Sequence, residues 1–246
     1  MKVDILGVKI DHITLAACIE RIARTIEDNE RLRVVTANPE MIFRASHDVR
    51  LRQVINTAGL VTADGIGVIW AAARLGTPLP ERVTGIDLLE GLLPLARERK
   101  WRVFFLGGQP GVAELAAHKA TGVNGFEWQA HHGYFTPAEE GMLLERIQAF
   151  RPQLLLAGLG SPRQEFWLAE HSRLAQVSIG VGGSFDALAG VVKRAPQWVQ
   201  NLNLEWLYRL IREPKRFKRQ LALPRFVLKV LAQSTRSQES VDRSQE

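Results

Sequence analysis

Short runs of consecutive apolar residues recur along the chain, each followed by a stretch with helical spacing, and this alternation limits the fold more than any other feature. The runs are Leu32–Ala37 (LRVVTA), Leu60–Ala63 (LVTA), Arg102–Leu106 (RVFFL), Gln153–Leu159 (QLLLAGL) and Val177–Val181 (VSIGV), with Gly125–Gln129 as a sixth candidate. They are apolar at successive positions rather than at every second one, so both faces of each strand must be covered. That is the condition of a mainly parallel sheet between two layers of helices. The helical segments between them are Leu15–Asp28, a stretch opening at Pro39, Ile66–Leu75, Ile86–Lys100, Val112–Ala120, Pro137–Phe150 and Arg163–Leu174. Pro39 fits the first turn of a helix, where a missing N–H costs nothing. The class expected is α/β, with no internal repeat.

Charge divides the chain where the strand pattern stops. The 246 residues carry a net +6, but residues 193–229 hold ten basic side chains against two acidic ones, a net of +8. Residues 1–192 and 230–246 are each left with −1. The expected division is a catalytic body over 1–192, a basic helical appendage over 193–232 and a polar, frayed tail over 233–246. Trp198, Trp206, Phe217 and Phe226 interleave with the cations of the appendage. This pattern suits an anionic membrane surface, where each Lys or Arg contributes about 1 kcal/mol. A basic hairpin packed on the body is the plainer alternative. No nucleic-acid motif accompanies the charge. No apolar run approaches the roughly 20 residues that span a bilayer. The one cysteine, Cys18, allows no internal disulfide and suits a reducing cytoplasm.

In a sheet of this kind, ligands bind beyond the carboxyl ends of the strands. Four polar or glycine-rich clusters are expected there: Thr36–Glu40, Ala63–Gly67, Gly160–Glu165 and Gly180–Asp186. Asp64 ends an apolar strand and precedes two glycines, which suits a general base or, equally, a helix N-cap. Thr36 and Asn38 carry the same two readings. Gly180 to Asp186 can turn successive N–H groups toward a diphosphate, with Gly182 and Gly183 giving the backbone freedom, or it can be a tight turn. Gly107–Gly111 lacks GxGxxG spacing, so a dinucleotide site is weakly indicated. Arg82 and Arg163 are the body's cations nearest these loops. His131 and His132 have no third ligand close by in sequence, and no metal or other cofactor is expected.

Together the clusters resemble the WecG/TagA/CpsF glycosyltransferases. The carrying residues, in order, are TANPE (36–40), ADGIGV (63–68), ERVTGIDL (81–88), HHGYF (131–135), GSPRQE (160–165), GVGGSFD (180–186), RAP (194–196) and LEWLYRLIREPKRFKRQ (204–220). The resemblance implies a Rossmann-like, inverting, metal-independent enzyme. It would move an N-acetylmannosamine-type sugar from a UDP-sugar to a polyprenyl-diphosphate-linked saccharide at the inner face of the cell membrane. It implies Asp64 as the base, with Arg82 beside it. Thr36, Asn38 and Gln164 would be pocket residues, and Tyr134 and Asp186 donor contacts. Arg209, Arg212 and Arg216 would reach the diphosphate or membrane from the appendage. Alanines at 37 and 63 replace frequent prolines without removing a chemical group. Two other readings use the same features: a nicotinamide-dependent oxidoreductase, and a basic adaptor for membranes or RNA. A homo-oligomer through apolar helix faces stays open.

Overall fold

The computed structural model describes residues 1–122, 125–193 and 221–242, with side chains to 236, and also 195, 196, 199, 207, 208 and 210. A hairpin of β1 (Lys2–Ile5) and β2 (Val8–Asp11) opens the chain, followed by α1 (Leu15–Glu27), β3 (Leu32–Ala37), α2 (Pro39–Ala45), α3 (Val49–Asn56), β4 (Leu60–Ala63) and α4 (Ile66–Arg74). Next come α5 (Gly85–Glu98), β5 (Val103–Gly107), α6 (Val112–Thr121), β6 (Trp128–His131), α7 (Pro137–Phe150), β7 (Leu154–Gly158), α8 (Arg163–Glu170), β8 (Val177–Gly180) and α9 (Ser184–Leu188). We label the last described helix α10 (Ala222–Asp242).

Six strands form one sheet in the order β4-β3-β8-β7-β5-β6, and every pairing is parallel. The expected α/β class, with a mainly parallel Rossmann-like sheet, is what the chain adopts. Side-chain parity sorts the core cleanly. Val34, Phe105, Leu154, Leu156 and Ile179 face α1, α5, α6 and α9. On the other face, Val35 and Val61 meet α2, α3, α4 and α10, while Phe104 and Leu155 meet α7 and α8. The register aligns Ala37 with Ala63, Gly107 with Gly158 and Leu106 with His131, so the loops after all six strands leave from one edge. Those after β3, β8, β7 and β5 lead alternately to opposite faces, which parts neighbouring loops and opens a crevice.

Local chemistry fixes the helix starts. Thr14, Asn38, Asp48, Thr84 and Thr136 each accept a hydrogen bond from a first-turn N–H, and Thr136 with Glu139 completes a capping box. Pro39 occupies the first turn of α2, as its spacing predicts.

The structure departs from the sequence reading in four places. The β1–β2 hairpin turns at Leu6 and Gly7, both with positive φ, and was not anticipated from so short an alternation. The sixth strand lies at Trp128–His131, later than Gly125–Gln129, because its pairing with Val103–Leu106 decides its position. Gly183 is the N-cap of the short helix α9, an element the spacing did not predict. Finally, α10 runs to Asp242, so the segment expected to fray from residue 233 begins as helix. Its reason is docking: Phe226, Val230 and Ser234, four residues apart, are all buried. Gln233 bonds Leu6 N–H at 2.8 Å and Asp4 carbonyl at 3.0 Å. No helix among the described residues is long and apolar enough to cross a membrane.

Candidate active site

A cavity of about 1120 Å³ lies at the carboxyl edge of the sheet, and Thr36, Asn38, Asp64, Arg82, Tyr134, Gln164, Gly182, Gly183 and Asp186 all line it. The nine body residues singled out in the sequence are therefore brought to one place. Arg209, Arg212 and Arg216 lie outside the described residues.

One wall is built by β3 and β4. Asp64 N–H donates to Ala37 carbonyl at 2.9 Å, continuing the strand pairing by one residue, so Asn38 and Asp64 enter the cavity from adjacent strands. Gly65 (φ +110°) turns the chain into α4 and takes the N-cap position. A Cβ at Gly67 would come within 2.8 Å of Pro39, so glycine there lets the two loops pack together. Asn38 Oδ1 accepts Met41 N–H at 2.9 Å, so its amide nitrogen is the group it can offer a ligand. The hydroxyl of Thr36 is buried and donates to Gly180 carbonyl at 2.9 Å, tying β3 to β8. Arg82 follows from β4 by a similar extension: Val83 N–H meets Ala63 carbonyl at 2.9 Å, and Thr62 Oγ1 donates to Val83 carbonyl at 3.0 Å.

The opposite wall is glycine against glycine. Gly108 N–H donates to Gly158 carbonyl at 3.2 Å, and Gly133 N–H to Gly108 carbonyl at 2.9 Å. A Cβ at Gly107 would sit 2.4 Å from Gly158 oxygen, and one at Gly158 would sit 2.7 Å from Gly182 oxygen. Above this wall Tyr134, 63% exposed, accepts from Gln109 Nε2 at 2.9 Å. Arg163 is committed to the same loop: it donates to Gly133 carbonyl at 2.6 Å and stacks on Phe135 at 4.5 Å. Gln164 is nearly sealed, with its amide bonded within the protein at both ends. The hydroxyl of Ser184, within the Gly180–Asp186 cluster, donates to Val181 carbonyl at 2.7 Å.

The electrostatic character follows from the helices. Asn38, Gly65, Thr84 and Gly183, the N-caps of α2, α4, α5 and α9, and Ser161 and Arg163 at the start of α8, all line the cavity. Each such N-terminus favours an anion by roughly 0.3–1 kcal/mol, while the charged side chains that line the cavity are Arg82 and Arg163 together with Glu40, Asp64 and Asp186. Part of the apolar lining comes from Trp70 and from Leu223, Phe226 and Val227 of α10. Sequence reasoning missed these because nothing in their spacing marks them as cavity residues rather than core. Cys18 is remote from chemistry: burial, aided by Asp11, pushes its thiol up to about 12. Among the described residues no three His, Cys, Asp or Glu side chains gather as metal ligands would.

Comparison with known proteins adds a second line. Residues 3–240 match the family described as "Glycosyl transferase WecG/TagA/CpsF family". Similar relatives include the N-acetylglucosaminyldiphosphoundecaprenol N-acetyl-beta-D-mannosaminyltransferases of Staphylococcus aureus strains MRSA252 and MW2. Each is 36% identical over 234 residues, covering 93% of this chain and 92% of the relative.

Proposed function

The chain belongs to the WecG/TagA/CpsF family of glycosyl transferases, and on that premise we propose that it transfers N-acetylmannosamine from UDP to a polyprenyl-diphosphate-linked N-acetylglucosamine. The observation that carries this reading is the convergence of Asp64, Arg82 and the helix N-termini on one cavity with an apolar flank. An acceptor hydroxyl is a weak nucleophile near neutral pH. Asp64 takes its proton as the oxygen attacks the anomeric carbon from the face opposite UDP. The new carbon–oxygen bond forms as the bond to the β-phosphate oxygen breaks, and UDP leaves with the electron pair. Its growing charge is met by Arg82 and backbone N–H groups, which act without reorganising as the bond breaks. Asn38 orients the sugar, while Thr36 and Gln164 hold the strand ends that shape the pocket. Tyr134 and Asp186 contact the donor, along the Gly182–Gly183 turn. No metal or other cofactor enters this scheme.

The test supplies a panel of UDP-sugars with a short-chain polyprenyl-diphosphate N-acetylglucosamine acceptor in the presence of a chelator. UDP-N-acetylmannosamine should be consumed preferentially and turnover should survive chelation. Preference for another sugar overturns the donor assignment, and loss of turnover that added metal restores overturns the metal-free scheme.

The basic segment serves the lipid end of the acceptor, and the protein works as a peripheral protein at the inner face of the membrane. Leu221, just before α10, and Leu228 within it are exposed at 51% and 67%, beside the cavity-lining Leu223 and Val227. Replacing Arg209, Arg212 and Arg216 together by Ala should lower binding to anionic liposomes about tenfold or more in a flotation assay at low salt. Binding that is unchanged, and equally unchanged at raised salt, would mean that charge does not hold the protein there.

A further inference from the structure

The start of α8 buries two successive polar side chains: Gln164 is 3% exposed and Glu165 2%. Gln164 Nε2 donates to Glu165 Oε1 at 2.8 Å, and Gln164 Oε1 accepts Gly182 N–H at 3.3 Å. Gly180 makes room for this amide, since a Cβ there would lie 2.8 Å from Gln164 Nε2. The two ends of an amide have nearly the same size, so packing alone does not choose which one faces Gly182. Turned over, an NH2 would meet an N–H and the loop bond would be lost. The acceptor on Glu165 makes that choice.

We propose that Glu165 is a positioning residue, acting through the Gln164 amide to hold Gly182 N–H and with it the loop from β8 to α9. Its bearing on catalysis rests on the UDP-sugar reading of that loop. The surroundings favour an uncharged carboxyl. Glu165 Oε2 has no hydrogen-bond partner, and burial raises its titration above the ordinary glutamate range, against the smaller opposing effect of the bond from Gln164. Ser161 Oγ lies beside it outside hydrogen-bond geometry. Arg33 of β3 is the charged group that acts on it. Burial lowers the Arg33 guanidinium, one nitrogen of which donates to Thr57 Oγ1 at 3.1 Å, and no described ion pair joins it to Glu165. From α3, Arg50 stacks instead on Phe166 at 4.9 Å. A neutral acid still accepts from Gln164 and adds no negative charge beneath an anion site.

Because the folded carboxyl titrates above its unfolded value, the associated stability is full below the unfolded value and is lost as pH rises through the folded one. Glu165→Gln keeps an acceptor and cannot ionise. It should raise the melting temperature at about pH 8 and change it little near pH 4. A lower melting temperature at pH 8 overturns the uncharged carboxyl. Hydrogen exchange at the Gly182 amide of the free full chain reads positioning directly. Glu165→Gln should keep wild-type protection, and Glu165→Leu should speed exchange there about tenfold while β5 and β7 amides hold theirs. Unchanged exchange in the Leu variant, an equal rise across the sheet, or loss of protection in the Gln variant overturns the positioning role. That last arm decides the matter should the Leu variant not fold. If the exchange results hold and wild-type protein binds no UDP-sugar, it is the reading of the cavity that fails, not the role of Glu165.

Discussion

Asp64→Asn is expected to lower transfer to the lipid-linked acceptor about a thousandfold, the middle of the range for removing a general base, while UDP affinity changes less than about threefold. The substitution preserves shape, and the backbone N–H of residue 64 keeps its bond to Ala37 carbonyl. A loss of turnover therefore reports chemistry rather than a displaced strand end. Single-turnover kinetics with saturating donor, alongside calorimetric UDP binding, separates the two quantities. Turnover within tenfold of wild type would remove Asp64 from the base role, and a parallel collapse of UDP binding would recast it as a donor ligand.

The second large effect is on the scaffold. Gly107 has φ +146° and faces Gly158 so closely that an added Cβ would meet backbone oxygen, carbon and Cα at 2.4, 2.5 and 2.6 Å. Neither strand can yield, because β5 and β7 are central and paired through Val103–Gly107 and Leu154–Gly158. Gly107→Ala should cost about 3 kcal/mol or more, lowering the melting temperature by roughly 6–12 °C. Gly141, exposed within α7 with nothing near its absent side chain, gives the reverse sign. There the same substitution should stabilise by up to about 1 kcal/mol through helix propensity. Thermal unfolding of the two variants side by side tests whether close approach sets the sign. Equal shifts would show that it does not.

The strands were legible because burial on both faces leaves a continuous apolar run, and Leu32–Ala37 and Leu60–Ala63 lie where the sequence puts them. Pro39 and Pro137 marked helix starts for the same local reason. What escaped depends on partners distant in sequence. The position of β6 was set by β5, and the ordering of residues 233–236 by the N-terminal hairpin and Arg74 carbonyl. Within the site, residue types were legible and their bonds were not. Thr36 and Gln164 read as pocket groups, yet Thr36 donates to Gly180 carbonyl at the end of β8 and Gln164 accepts Gly182 N–H from the next loop. Nothing in the sequence marks Glu165 as buried, since only the packing of α8 against the sheet and α3 encloses it.

The docking of α10 has a consequence in time. Leu223, Phe226 and Val227 complete the cavity, yet they are synthesised after every other residue that lines it, and the helix is then fastened back onto Asp4 and Leu6. All six strands of the sheet, and Asp64 at its edge, are synthesised before that flank. Completion of the pocket therefore waits for residues 223–227, and a chain stopped before residue 221 would carry Asp64 and the glycine-rich loops without that flank.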